Sequence, residues 1–244
     1  MRSRHALTVA LAAVSVFLAG CGNALSTTAR AAPAVSPLVV KLATPVPDPP
    51  LVDAGLDLRA GPVDVPLQLR IPSLGINAPV LAVGIDAKNV MDTPAGSAND
   101  PLWQKVFWYR GGAIPGEPST ATIAGHVDDV LGRPAIFARL KDLRPGNEVA
   151  VRDTRTGHEV AFVVSRTVAY TLPQTRDRAV LEQIYGDGPV LGQGPEPSDD
   201  GLAHLTLITC TGHWLGKSGT YDQRLVVYLV GLKKPLTGRP AIVS

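Results

Sequence analysis

Cysteine is nearly missing from this chain, and the motifs that mark the common cofactor-binding proteins are missing altogether. Only two of the 244 residues are cysteines, Cys21 and Cys210. The sequence contains no paired C-x-x-C motif, no phosphate-binding P-loop and no G-x-G-x-x-G motif after a strand. The sequence therefore gives no indication of a nucleotide-binding, dinucleotide-binding or zinc-ribbon protein.

A large excess of charge of one sign is also lacking. The 23 lysines and arginines nearly balance the 21 aspartates and glutamates, which gives a formal net charge of +2. No basic run with interleaved aromatic residues is present, so a nucleic-acid partner is not indicated. With 45% apolar residues and 22 prolines, the composition suits one globular domain together with some unstructured length.

The N-terminus has the form of an export signal. A basic start, MRSRH, precedes an uncharged apolar run over residues 6–20, which is shorter than the roughly 20 residues of a transmembrane helix. The run leads into LAGC, which resembles the lipobox of bacterial lipoproteins. We expect residues 1–21 to be a signal peptide with a lipobox and Cys21 to be lipidated, with ordinary cleavage after Ala31 as the alternative. Under either reading, we expect the folded part of the chain to lie outside the cytoplasmic membrane.

This leader leaves Cys210 without a cysteine to pair with. Exported proteins often use cysteines in disulfides, but Cys21 is either lipidated or removed. An odd thiol in an exported protein is a candidate reactive group. The structural alternative is a small buried hydrophobic side chain, which is what most free cysteines are.

Composition divides the rest of the chain into three parts. Residues 22–66 contain eight prolines and no aromatic residue, so we expect a flexible tether there. The folded domain is expected over residues 67–232, and residues 233–244 are expected to be a loose C-terminal tail.

Short alternating runs separated by turn signals predict a mostly β fold. Two short helices are predicted, over residues 133–140 and 176–185. Eight strands with one or two short helices favour a single closed or nearly closed β-barrel. The strands are expected at residues 67–71, 78–85, 105–110, 119–125, 148–153, 158–170, 203–210 and 224–230.

The last two predicted strands bring Cys210 close to Arg224. If these strands are antiparallel, the end of the first lies beside the start of the second, and a twelve-residue connection over 211–222 joins them. Both side chains then meet at one rim of the sheet, where an arginine favours the thiolate and can hold a developing oxyanion. The alternative for Arg224 is a solvated charge at a strand end.

A nucleophilic cysteine usually needs a histidine partner. His204 begins the cysteine strand and lies about 20 Å from Cys210 at ~3.3 Å per residue, which is too far. His158 follows a hairpin turn and is expected to be exposed. His126 and His213 both remain candidates, because periodicity alone cannot choose between them. A metal site of Cys210, His126 and His213 is a weaker alternative, since no fourth ligand stands at recognisable spacing.

The residues TLITC at 206–210 match the TLxTC motif of sortases, the membrane-associated cysteine transpeptidases of Gram-positive bacteria. With AGHVD upstream and Arg224 on the following strand, residues 67–232 resemble a sortase domain. The segment AGHVDDVLGRPAIFARLKDLRPGNEVAV, residues 124–151, is similar to the class F group in particular. The resemblance implies a sortase-like eight-stranded barrel, and it selects His126 rather than His213 as the catalytic histidine.

The resemblance also implies a mechanism. Cys210, as a thiolate, attacks the threonine carbonyl of an LPxTG-like sorting signal, and His126, as imidazolium, protonates the departing amine. Arg224 orients the peptide and steadies the oxyanion, and an amine from a cell-wall precursor then resolves the thioacyl enzyme. No metal or organic cofactor is expected, and Asp128 and Asp129 alone do not establish a calcium site.

Three further residues are lesser candidates: Thr209 and Trp214 for substrate contacts, and Asp128 for orienting His126. The expected partners are surface proteins with sorting signals, a cell-wall precursor amine, and the membrane through the lipid anchor. The protein is expected on the extracytoplasmic face of a Gram-positive membrane, although sortases are usually held there by a transmembrane helix. The alternatives are a non-catalytic sortase-like lipoprotein that binds envelope peptides and a cysteine hydrolase whose acceptor is water.

Overall fold

The computed structural model describes residues 50–53 and 56–232 of the chain. The fold is a closed barrel of eight strands, as the sequence predicts. The strands are β1 (Val63–Ile71), β2 (Ile76–Val83), β3 (Val106–Tyr109), β4 (Thr120–Ala124), β5 (Glu148–Asp153), β6 (Glu159–Thr171), β7 (His204–Leu215) and β8 (Thr220–Gly231). Around the barrel they follow the order β1-β2-β3-β4-β7-β8-β6-β5.

Period-two alternation is clearest in β1. Along β1, the side chains of Val65, Leu67, Leu69 and Ile71 are buried, whereas the residues between them are not. Successive side chains of a strand point to opposite faces, so one face of β1 fills the barrel interior. β3 is buried along its whole length, because it is covered on both sides.

One of the two predicted helices is present. The helix α1 (Arg178–Tyr185) is capped by the Asp177 side chain, which accepts the Ala179 amide at 3.0 Å. Its buried face includes Ile184 and packs against Val226 and Tyr228 of β8. A second short helix, α2 (Asp187–Val190), follows it.

The predicted helix over residues 133–140 is wrong. The amides of Ala135 and Phe137 donate to the carbonyls of Val127 and His126 and not to carbonyls four residues before them. This segment therefore runs back along the chain that follows β4, with Ala135 and Phe137 both buried. The apolar residues whose spacing suggested a helix belong to an irregular loop, which ends in a short 3₁₀ turn at Leu140–Asp142.

Strand β1 begins at Val63, four residues before the expected domain start at Leu67. The predicted signal peptide with Cys21, most of the predicted tether and the predicted tail lie outside the described residues. No helix within the described residues is long and apolar enough to cross a membrane.

Two strand pairings determine where the functional residues lie. β7 pairs in parallel with β4, with Ile208 opposite Ala124, and antiparallel with β8. The C-terminal ends of β4 and β7 and the N-terminal part of β8 therefore share one end of the barrel.

Candidate active site

Cys210 and Arg224 are directly opposite each other in the β7–β8 ladder. The hairpin is longer than the sequence suggests, because β7 continues to Leu215 and β8 begins at Thr220. A four-residue turn over 216–219 therefore replaces the predicted twelve-residue connection. Both strands extend beyond the cysteine and form a wall beside it.

A bulge interrupts this hairpin between Thr211 and Trp214. Gly212 sits in the bulge with φ of +87°, and a β-carbon there would lie 2.0 Å from Oδ1 of Asp222. Only glycine fits this close approach without strain. The bulge turns the end of β7, so Trp214 packs against Tyr221 with 5.3 Å between ring centroids.

His126 comes two residues after the end of β4, beside the cysteine strand. The Gly125 amide donates to the Ile208 carbonyl at 3.1 Å, which continues the β4–β7 ladder by one residue. The buried hydroxyl of Thr209 donates to the Gly125 carbonyl at 2.7 Å. Both backbone groups of Gly125 are thus tied to β7, and the residue that follows is held at the level of Cys210.

The His126 ring is held by its neighbours. Its Nε2 lies 2.9 Å from the Pro94 carbonyl oxygen in the β2–β3 connection, residues 84–105. The ring packs against Trp103 and Phe107, with centroid separations of 4.7 and 5.4 Å. With Nε2 donating to the carbonyl, Nδ1 is left to take or give a proton.

Arg224 is held mainly by its own strand. Nη1 donates to the carbonyls of Tyr221 and Gln223 at 3.1 and 3.0 Å, and Nη2 donates to Thr220 Oγ1 at 3.0 Å. These contacts fix the guanidinium beside Cys210 and leave some of its N–H groups free to bind a substrate. Thr220 is a site residue that sequence reasoning missed, because its role depends on the extended hairpin.

Burial of Cys210 favours the neutral thiol over the thiolate. Burial raises the pKa of the thiol above its ordinary value, and the nearby Asp128 carboxylate adds to this rise. Arg224 and a hydrogen bond from Thr220 lower the pKa, but they do not overcome burial. Arg224 therefore lowers the pKa of Cys210, as the sequence suggested, but burial raises this pKa by more than Arg224 lowers it.

Cys210, His126 and Arg224 line one open cavity of about 1210 Å³. This is larger than the roughly 300–1,000 Å³ of pockets for small ligands, so an extended peptide segment has room to enter. Its lining comes from the β2–β3 connection, the segment after β4, α1, α2 and the β7–β8 hairpin. Thr209, Asp128 and Trp214 also line it.

His213 and Asp128, the two other candidates near Cys210, make contacts that do not involve Cys210 or His126. The His213 side chain is 91% exposed and contacts Asp222 at 3.3 Å, and it does not line the cavity. The Asp128 carboxylate accepts a hydrogen bond from Tyr221 Oη, while His126 Nε2 contacts the Pro94 carbonyl. Within the described part of the chain, no group of three or more histidine, cysteine, aspartate or glutamate side chains is placed to hold a metal ion.

Comparison with known proteins gives a family match. A family model described as the sortase domain matches residues 69–230. A search of curated proteins finds no match.

Two solved structures of sortases are among those to which the chain is similar. A lid mutant of sortase A from Corynebacterium diphtheriae is 17% identical, with a TM-score of 0.48, and the alignment covers 73% of this chain and 75% of that one. Sortase C-1 from Actinomyces oris is 20% identical, with a TM-score of 0.45 and coverage of 69% of this chain and 74% of that one.

Proposed function

This chain belongs to the sortase family of cysteine transpeptidases, and from that premise we propose that it cleaves an LPxTG-like sorting signal and transfers the acyl part to a cell-envelope amine. One observation carries the proposal: Cys210, its strand partner Arg224 and His126 line the same cavity. A nucleophile, a proton donor and an oxyanion-binding cation at one peptide-sized cleft suit acyl transfer.

In the first half-reaction, the sulfur of Cys210 attacks the threonine carbonyl, and the thiol proton passes to the nitrogen of the scissile bond. Arg224 stabilises the tetrahedral oxyanion with the N–H groups that its own strand does not use. His126, as imidazolium, donates a proton to the departing amine. The C–N bond breaks, and a thioester on Cys210 remains.

In the second half-reaction, an amine attacks the thioester and the C–S bond breaks. His126 is now neutral, so it acts as the base that removes a proton from the incoming nitrogen. We propose that this amine belongs to a cell-wall precursor. Water in its place gives slow hydrolysis, which explains how the same site would act as a peptidase when no acceptor is present.

We also propose a class F assignment and a lipid anchor. The class rests on the similarity of residues 124–151 to that group. The anchor rests on the LAGC sequence that ends in Cys21. Together they describe an enzyme on the extracytoplasmic face of a Gram-positive membrane, with surface proteins as substrates.

A quenched LPxTG peptide tests this function directly. The full chain should release the fluorophore, and mass spectrometry should detect an acyl adduct on Cys210. Cys210→Ala should abolish both signals while the circular dichroism spectrum is kept. His213→Ala is the matched control, because that side chain is exposed and lies outside the cavity, and it should keep its activity.

Two results would contradict the proposal. Full cleavage by Cys210→Ala would remove the nucleophile from the mechanism. Tight binding of the peptide by the unmodified protein without any adduct would point to a non-catalytic binding protein. Adding an amine separates transfer from hydrolysis, since only transfer yields the amide product.

A further inference from the structure

Asp128 lies in the wall of the catalytic cavity, two residues after His126. Its backbone forms a bridge with Pro134, and its Oδ2 accepts a hydrogen bond from the hydroxyl of Tyr221 on β8. The Tyr221 ring in turn packs edge-on against Trp214. The carboxylate is therefore held at a defined place on the Cys210 side of the cavity.

The neighbouring Asp129 shows what is unusual about Asp128. Asp129 forms an ion pair with Arg133 at 2.6 Å and accepts the amides of Leu131 and Arg133, so its charge is used within its own loop. In the described part of the chain, no lysine, arginine or histidine forms an ion pair with Asp128. Its negative charge faces the cavity with only a neutral phenol as its partner.

That charge works against the first half-reaction. Asp128 adds to the rise in the pKa of the Cys210 thiol, in opposition to Arg224. The hydrogen bond to Asp128 is also the main reason why the pKa of Tyr221 is raised to about 12, so the phenol stays neutral at neutral pH. A fixed carboxylate that disfavours the thiolate is better suited to a step in which a cation enters the cavity.

We propose that Asp128, held by Tyr221, is the binding site for the ammonium group of the incoming acceptor. The inference rests on the proposed function, because the acceptor acts only after Cys210 has been acylated. A primary amine is a cation at neutral pH, and a carboxylate binds it through charge-assisted hydrogen bonds. The ligand class is a primary ammonium group, carried either by a peptide N-terminus or by a lysine-like side chain.

The transfer step balances with this arrangement. The bound ammonium loses one proton to neutral His126, and the freed nitrogen lone pair attacks the thioester carbonyl. The C–N bond forms, the C–S bond breaks, and its electron pair goes to sulfur. The second nitrogen proton passes to that sulfur, which restores the Cys210 thiol and leaves His126 as imidazolium for the next cycle.

The experiment compares acceptors of different charge in the full-length enzyme. Triglycine supplies a charged N-terminal amine, N-acetyl-lysine amide supplies a charged side-chain amine, and hydroxylamine supplies a nucleophile that is mostly uncharged at neutral pH. Product analysis gives the KM for each acceptor, and trapping the adduct gives the rate of acylation. The favoured source of the ammonium is the charged amine with the lower KM in the unmodified enzyme.

Asp128→Asn should raise the KM for this favoured charged amine by about tenfold or more, as expected for losing a charge-assisted hydrogen bond. The KM for hydroxylamine should change much less. The same variant should accelerate acylation, because a charge that disfavours the thiolate is gone. Tyr221→Phe, which keeps the carboxylate but not its support, should give a smaller rise in the same KM. Asp142→Asn is the control, since its exposed carboxylate pairs with Arg139 outside the cavity.

An equal change in KM for charged and uncharged acceptors would overturn the inference, and so would unchanged KM values in Asp128→Asn. Both outcomes leave acylation of Cys210 intact and therefore leave the proposed function standing. Absence of any adduct in the unmodified enzyme would overturn the proposed function and this inference with it.

Discussion

Cys210 and Arg224 are partners across the β7–β8 ladder, and the guanidinium is fixed there by three hydrogen bonds to its own strand. The strand pairing, and not a flexible loop, sets the distance between the thiol and the cation. Regular strands hold side chains in place better than loops do, so the cation is positioned before substrate arrives. This arrangement is the basis of the first prediction.

Arg224→Ala should lower kcat/KM for peptide cleavage by roughly 10²–10³, the usual loss when one oxyanion donor is removed. Arg224→Lys should recover only part of this loss, because a lysine keeps the charge but not the planar fork of donors. Steady-state kinetics with the quenched peptide would measure both. Arg166→Ala is the control, since Arg166 stacks on Tyr228 on the barrel wall; an equal loss in that variant would contradict the special role of Arg224.

The pH dependence of Cys210 alkylation should follow its raised pKa. The thiolate is the reactive form, so the rate with iodoacetamide should rise with pH around a midpoint above the ~8.5 of a free cysteine. Arg224→Ala should move the midpoint upward, because Arg224 lowers the pKa, and Asp128→Asn should move it downward, because Asp128 raises it. A midpoint below that of a free cysteine peptide, measured alongside, would show that burial does not dominate.

Thr209→Val should destabilise the fold by about 1–3 kcal/mol, because the Gly125 carbonyl loses its buried hydrogen bond. Cleavage should fall as well, since this bond ties the His126 segment to the cysteine strand. Chemical denaturation and peptide kinetics would measure the two effects. Thr167→Val is the matched control, because the buried Thr167 hydroxyl has no hydrogen-bond partner, so its loss should leave stability unchanged or improved.

The segment before β1 should contribute to stability through Arg110. Its guanidinium donates to the carbonyls of Asp57, Leu58, Ala60 and Gly61, with the Asp57 contact at 2.7 Å. The chain passes so close here that a β-carbon at Gly84 would lie 1.6 Å from the Leu58 oxygen.

We expect Arg110→Met to lower the free energy of unfolding by about 2–4 kcal/mol, because several carbonyls lose a charged donor together. Urea denaturation would test this. Arg70→Met removes an exposed ion pair with Glu159 and should change stability by only about 0.5 kcal/mol. Equal effects of the two substitutions would show that the segment before β1 is not held by Arg110.

Much of the architecture was predictable because it depends on residues that are close together in the sequence. All eight strands were identified from short alternating runs separated by turn signals, and α1 from its apolar spacing, since each pattern needs only neighbouring residues. The Cys210–Arg224 pairing was also predictable, because consecutive antiparallel strands meet at their shared end. The predicted helix over residues 133–140 failed because its amides pair with the distant residues Val127 and His126, a contact that local spacing does not reveal.

The sequence by itself determined the strand set, the unpaired thiol and the cation beside it. The resemblance to sortases pointed to His126, but only the tertiary structure shows His126 in the cavity and His213 outside it, because their positions depend on the parallel pairing of β4 with β7. Those strands are far apart along the chain, and only barrel closure brings them together. The contacts of His126 with Pro94, of Arg224 with Thr220 and of Asp128 with Tyr221 have the same origin. They arise where loops and strands meet at one end of the barrel, and no local pattern in the sequence specifies them.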